Sequence, residues 1–153
     1  MKANAKEIKH PNYKMHHKYR FAFARMDDAM EDGWLMEAVT IQESIISARL
    51  LSVLSKGGIN ANPRDSFSSL IDRFRKHFEQ LDAAVLGLAA ELHAWRADRN
   101  FVLHCVCRDV DDPLMHDTVE AFEMKLVDTA EQGRRLVNEV RNTVSRIKRR
   151  LDS

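Results

Sequence analysis

The chain has 153 residues, 24 Lys+Arg against 23 Asp+Glu, 44% hydrophobic content, five Gly, three Pro and two Cys. That length suits one domain with a real core, and the apolar content is too high for a disordered chain. Few breakers speak against a turn-rich all-β fold, and a net charge of +1 excludes a uniformly basic nucleic-acid coat.

No apolar run approaches the ~18 residues that a membrane span needs. Lys2, Lys6 and Lys9 are followed by no apolar segment, so no signal peptide is expected. Cys105-Val106-Cys107 is no disulfide framework. A soluble, cytoplasmic protein without a membrane partner is the expectation.

The balanced charge conceals segregation. Residues 1–25 hold seven Lys/Arg and one acid, whereas 26–56 hold six acids and two bases. Residues 109–131 carry eight acids and one base, and 132–153 carry seven bases and two acids. Such blocks fit solvated helix ends, or basic ends that converge on a polyanion.

Residues 1–12 read as a loose basic arm interrupted by Pro11, and 13–153 as a single helical domain. A first helix should run from Tyr13 to Glu31, with Tyr19, Phe23, Met26 and Met30 at helical spacing, and Asp32-Gly33 ends it. A second runs from Trp34 to about Ser55 on the stripe Leu35, Val39, Ile46, Leu50 and Val53, closed by Lys56-Gly57-Gly58. Asn62-Pro63 marks a turn. A shorter helix spans about Ser66 to Gln80, with Phe67, Leu70, Ile71, Phe74 and Phe78 on its apolar face. The fourth runs from about Ala83 to Arg108, and Asp109 to Pro113 form an acidic turn. Asp117 is placed to cap a last helix reaching Leu151, with Val119, Phe122, Leu126, Leu136, Val140, Val144 and Ile147 at three- and four-residue steps. At about 1.5 Å per residue that helix is close to 50 Å long, more than one bundle needs. Part of it should pack on a partner chain or project. The fold class expected is all-α, an up-and-down bundle of four main helices plus a shorter one.

The fourth helix carries the chemistry. On a wheel of about 100° per residue, Val85, Leu88, Leu92, Trp95, Val102, Leu103 and Val106 form the core stripe. Arg99 falls near its middle, where a guanidinium needs a carboxylate or an anion beside it. Arg96, Asn100 and His104 share another face with His93. On the second helix Gln42, Glu43 and Arg49 border the apolar stripe, and Glu43 is the candidate to cross the bundle and orient Arg99.

Arg99-Asn100-Phe101-Val102-Leu103-His104 has the form R-x4-H, with a polar residue after the Arg, late in a helix of a small all-α chain and preceded by Trp95. This resembles the HEPN superfamily (higher eukaryote and prokaryote nucleotide-binding), whose hallmark is R-x4-6-H in a helical bundle. At the level of helix order the resemblance covers roughly residues 13–150, and at the level of motif six residues.

The resemblance implies a metal-independent endoribonuclease, acting on single-stranded RNA, that pairs two copies of the motif across a homodimer interface. Arg99 and His104 would be the catalytic pair, Asn100 the supporting polar residue, with Glu43, Arg96 and His93 around them. No metal and no cofactor are implied. A toxin or defence role, with an antitoxin or other protein partner, follows from the same likeness. The residue types fit: attack by the RNA's own 2′-hydroxyl needs a proton acceptor and donor near neutral pH, which His supplies. Charge growing on the phosphate needs a fixed cation, which Arg supplies. Five residues separate the two side chains by about 140° around the helix and about 7.5 Å along it, so two antiparallel copies make a composite cleft more readily than one helix does. Many HEPN toxins carry Tyr two residues after the His. Here that position is Val106, so regulation by tyrosine modification is not expected.

Two other readings are set beside this one. Some HEPN domains have lost catalysis, and the chain then reads as a helical dimerisation or RNA/protein-binding module. A metal-binding four-helix bundle is disfavoured because paired inward Glu-x-x-His motifs are lacking. Cys105 and Cys107 have no second Cys/His pair at zinc spacing and read as small apolar fillers.

Overall fold

Two of the five glycines set where the first helices stop. In the computed structural model, which describes residues 13–104 and 119–153, α1 spans Tyr13–Asp32 and α2 spans Leu35–Lys56. Gly33 and Gly58 adopt φ of 78° and 75°, the left-handed region open to glycine. At each, two backbone bonds close a Schellman motif. Trp34 N–H donates to Ala29 O (2.8 Å) and Gly33 N–H to Met30 O (3.4 Å); Ile59 N–H donates to Leu54 O (2.9 Å) and Gly58 N–H to Ser55 O (3.0 Å).

The next three helices are α3 (Phe67–Phe78), α4 (Ala84–His104) and α5 (Val119–Leu151). Ser66 caps α3, its hydroxyl accepting from Ser69 N–H at 3.1 Å. Asp82 opens α4 in the same way, one carboxylate oxygen accepting from Ala84 N–H at 2.9 Å. The expected boundaries hold to within two residues wherever they fall in the described segments. The basic arm 1–12, the end of the fourth helix at 105–108 with Cys105, Val106 and Cys107, the acidic turn 109–113 and the Asp117 cap lie outside them.

The fold is an all-α bundle. Helices α2, α3, α4 and α5 close a ring, each packed on the next, and α1 lies along α2. Trp95, Phe74, Ile46, Leu50, Leu92, Leu136 and Ile147 fill the centre with almost no exposure. Removing such side chains from water supplies about 1.5–3 kcal/mol apiece and is the main force holding the helices together.

Direction within the ring is informative. Glu43 near the start of α2 and Phe67 at the start of α3 both meet Arg99, whereas a Cβ on Gly57 would touch Phe78 at the far end of α3. Helices α2 and α3 therefore run the same way, so the expected up-and-down order is broken at this one connection. The loop 57–66 makes the return, pinned where Arg73 donates to Asn60 O (2.8 Å) and to the Asp65 carboxylate (3.1 Å). Lys56–Asp152 contact at 2.6 Å shows that α5 also runs parallel to α2. Helix α4 runs against all three.

A polar layer crosses the core where α2, α4 and α5 meet. Buried Gln42 donates to Ala130 O at 2.8 Å, and the Trp95 indole N–H donates to Thr129 O at 2.9 Å. One turn on, Gly133 lets the three helices close. A Cβ there would lie 1.9 Å from Gln42 Oε1 and 2.9 Å from Trp95 Cζ2.

Candidate functional site

Helix α4 positions Arg99 from the core outward. Trp95 is locked by its bond to Thr129, and Phe67 of α3 stands edge-on to it, centroids 6.1 Å apart at 89°. The Arg99 guanidinium carbon lies 5.9 Å from the Phe67 centroid. From α2 the Glu43 carboxylate reaches across and accepts a hydrogen bond from Arg99 Nη1. The two side chains retain only 15% and 25% exposure, so the pair is largely shielded from solvent screening. The expected partnership of Glu43 with Arg99 is thus present as a contact. Arg99 Nε is buried with no hydrogen-bond partner among the described residues, and so is Arg96 Nε.

Neighbouring positions of α4 face different helices. His93 Nε2 lies 2.8 Å from Asp72 of α3, and Lys125 of α5 bonds Asp98 at 3.0 Å. Arg99 lies between those faces, towards α2. Arg96 and Asn100 are half-buried, while His104 is exposed at the end of the helix. The arrangement gives the chain a braced arginine and, five residues on, an exposed histidine. His93 is instead tied to α3 by a carboxylate.

Three contacts escape a reading of α4 alone: Phe67 beneath Arg99, Asp72 on His93 and Lys125 beside Asp98 and the Phe101 ring (5.9 Å). Lys125 is a lone base in an acidic block, which is the signal that marks it. Asp72 carries no such mark. Its pairing with His93 depends on the antiparallel register of α3 and α4.

The same end of the bundle exposes apolar side chains. Val119, Met124 and Val127 of α5 and Trp34 before α2 all stand open to solvent. None of the side chains of residues 119–128 is fully buried. Among the described residues, no group of three or more His, Cys, Asp or Glu is arranged to hold a metal ion, and no helix is long and apolar enough to cross a membrane. Comparisons with protein-family models, curated proteins and solved structures return no match.

Proposed function

We propose that the chain is a HEPN-like, metal-independent endoribonuclease that cuts single-stranded RNA in a composite Arg99/His104 site at a homodimer interface. The observation that carries this reading is the Glu43–Arg99 brace, which fixes the motif arginine in one orientation five residues before the exposed His104. Glu43 engages Nη1, and a guanidinium has five N–H donors, so donors remain for a phosphate. In the reaction the 2′-oxygen attacks phosphorus as His104 of one protomer takes its proton. The bond to the 5′-oxygen breaks, and the histidinium so formed returns the proton to that leaving oxygen through water. The products are a 2′,3′-cyclic phosphate and a 5′-hydroxyl. Arg99 holds the charge that builds on the non-bridging oxygens. The exposed Val119, Met124 and Trp34 at the same end of the bundle supply apolar surface for the two-fold contact. A toxin or defence role, with an antitoxin as partner, rests on the family likeness alone.

One observation favours a second reading. Arg99 is already neutralised by Glu43 and mostly covered, which suits a structural arginine in a non-catalytic helical interaction module. Labelled single-stranded RNA incubated in EDTA separates the two. Wild-type protein is expected to cut, leaving cyclic phosphate ends, and Arg99→Ala and His104→Ala to lose about 10²-fold or more in rate. Cutting that persists in both variants, or RNA left intact by the wild type, removes the nuclease reading.

A further inference from the structure

Three helical segments meet on the face of the bundle that looks away from Glu43. The Tyr19 ring lies 3.9 Å from the Arg49 guanidinium of α2, and the Phe23 ring 5.6 Å from that of Arg141 on α5. These two stacks lay α1 antiparallel across α2 and α5, so its beginning reaches the end of the bundle where both of those helices finish. Residues 13–26, 44–56 and 140–151 contain no Asp or Glu at all, yet hold four, two and five Lys or Arg respectively. The acid-free stretches of α1 and α5 therefore lie side by side.

Some of these cations are spoken for. Arg25 pairs with Glu37, and Arg146 and Arg150 turn to Asp82 on the α4 side. Arg49, Arg141, Lys148 and Lys56 face one another instead. Burial lowers the Arg49 pKa, with Tyr19 opposing and Arg141 adding to the shift. Burial, Arg49 and Lys56 all lower that of Lys148. Among the described residues Lys148 bonds a neutral acceptor, the Ser52 hydroxyl. Asp152, bonded to Lys56 at 2.6 Å, is the one carboxylate recorded on this group among the described residues. Like charges gathered without counter-charge oppose folding and build a positive potential that an external anion relieves.

We propose that this α1–α2–α5 face docks the phosphate backbone of single-stranded RNA, with Arg49, Arg141 and Lys148 each receiving a phosphate. Arg49 and Lys148 are half-buried, recessed where separate phosphates of a thin strand reach them and a flat layer of lipid headgroups does not. The surface is distinct from the Arg99 motif, because Glu43 turns to α4 while Arg49 turns to α1. Choosing RNA as the polyanion rests on the proposed function, but binding here does not require cleavage.

The test uses fluorescence anisotropy of full-length protein with a 2′-O-methyl RNA 15-mer, which cannot be cut, across a salt series. The variants are Ser52→Glu, the triple Arg49→Gln/Arg141→Gln/Lys148→Gln, and the pair Arg99→Ala/His104→Ala. Ser52→Glu supplies the missing carboxylate inside the cluster. It should raise the melting temperature while weakening RNA binding about tenfold, a combination that misfolding cannot produce. The triple variant should lower the slope of log K against log salt by about 2, as expected when three phosphate contacts are lost from a single strand. Arg99→Ala/His104→Ala removes the one phosphate contact assigned to Arg99 and should lower that slope by no more than about 0.7, well short of the triple variant. Unchanged binding in Ser52→Glu and the triple variant overturns the proposal, as does binding to phosphatidylserine vesicles with none to RNA. A wild type that binds this RNA but never cuts its cleavable counterpart overturns the nuclease reading and leaves the docking surface standing.

Discussion

Glu43 and Arg99 stand 56 positions apart and meet across the bundle, so the cost of separating them is a residue-scale measure of the site. Glu43→Gln keeps the shape and removes the charge, leaving a mostly covered guanidinium with a neutral acceptor. Loss of a charge-assisted bond of this kind should cost about 1.5–3 kcal/mol, read as a lower urea midpoint with an unchanged m-value. No loss of stability would mean that solvent replaces the carboxylate without penalty. Gly133 makes the second residue-scale prediction. Alanine is the better helix former by about 1 kcal/mol, yet its methyl would collide with Gln42 and Trp95. Gly133→Ala should therefore destabilise by about 1–3 kcal/mol, and adding Gln42→Ala should recover part of it in a double-mutant cycle. A stabilised Gly133→Ala protein would contradict the close approach. The need of Arg99 for a carboxylate was legible from its place on an apolar stripe, and Glu43 from its place beside another. The buried Gln42 and the Phe67 ring under Arg99 were not, since each depends on a register between helices that no single helix encodes.

At the scale of the element, Asp82 joins a helix start to a distant helix. One oxygen caps α4 at Ala84, and the other accepts from Arg146 Nε of α5 at 3.1 Å, with Arg150 at 3.6 Å. The hydrogen bond from Arg146 holds the Asp82 carboxyl below the usual carboxylate range, against its own burial, and Ala84 N–H and Arg150 add to the effect. A carboxyl with a lowered folded-state pKa contributes stability that is fully present above its unfolded value of about 3.9 and is lost as pH falls through the folded one. Thermal unfolding should thus weaken below about pH 4, and Asp82→Asn should flatten that limb while lowering stability at pH 7. An identical acid limb in Asp82→Asn would assign the pH dependence to other groups. The helices themselves were readable, because 3.6-residue periodicity and the glycine stops are local signals. The parallel run of α2 and α3 was not, as loop 57–66 carries turn residues whichever way it leads.

For the whole molecule, charge and length are the features that the fold reorganises. The balanced total of 24 bases and 23 acids resolves into a face where α1, α2 and α5 present cations with Asp152 the one carboxylate among them in the described residues. Sequence blocks showed that the charges were segregated. Only the antiparallel placement of α1 lays its basic stretch along the basic end of α5. Helix α5 was legible as too long for one bundle, and in the fold its fully buried positions begin at Thr129, leaving the exposed first turns beside the Arg99 motif. On the proposed reading, that surface and the five-residue spacing of Arg99 and His104 both point to a second chain. The most direct measurement mixes Arg99→Ala with His104→Ala protein after subunit exchange and assays RNA cleavage in EDTA. Each variant alone should be silent. The mixture should regain cutting, with cyclic phosphate ends, because a heterodimer joins the arginine of one chain to the histidine of the other. A mixture as silent as its components, beside an active wild type, would contradict the composite site.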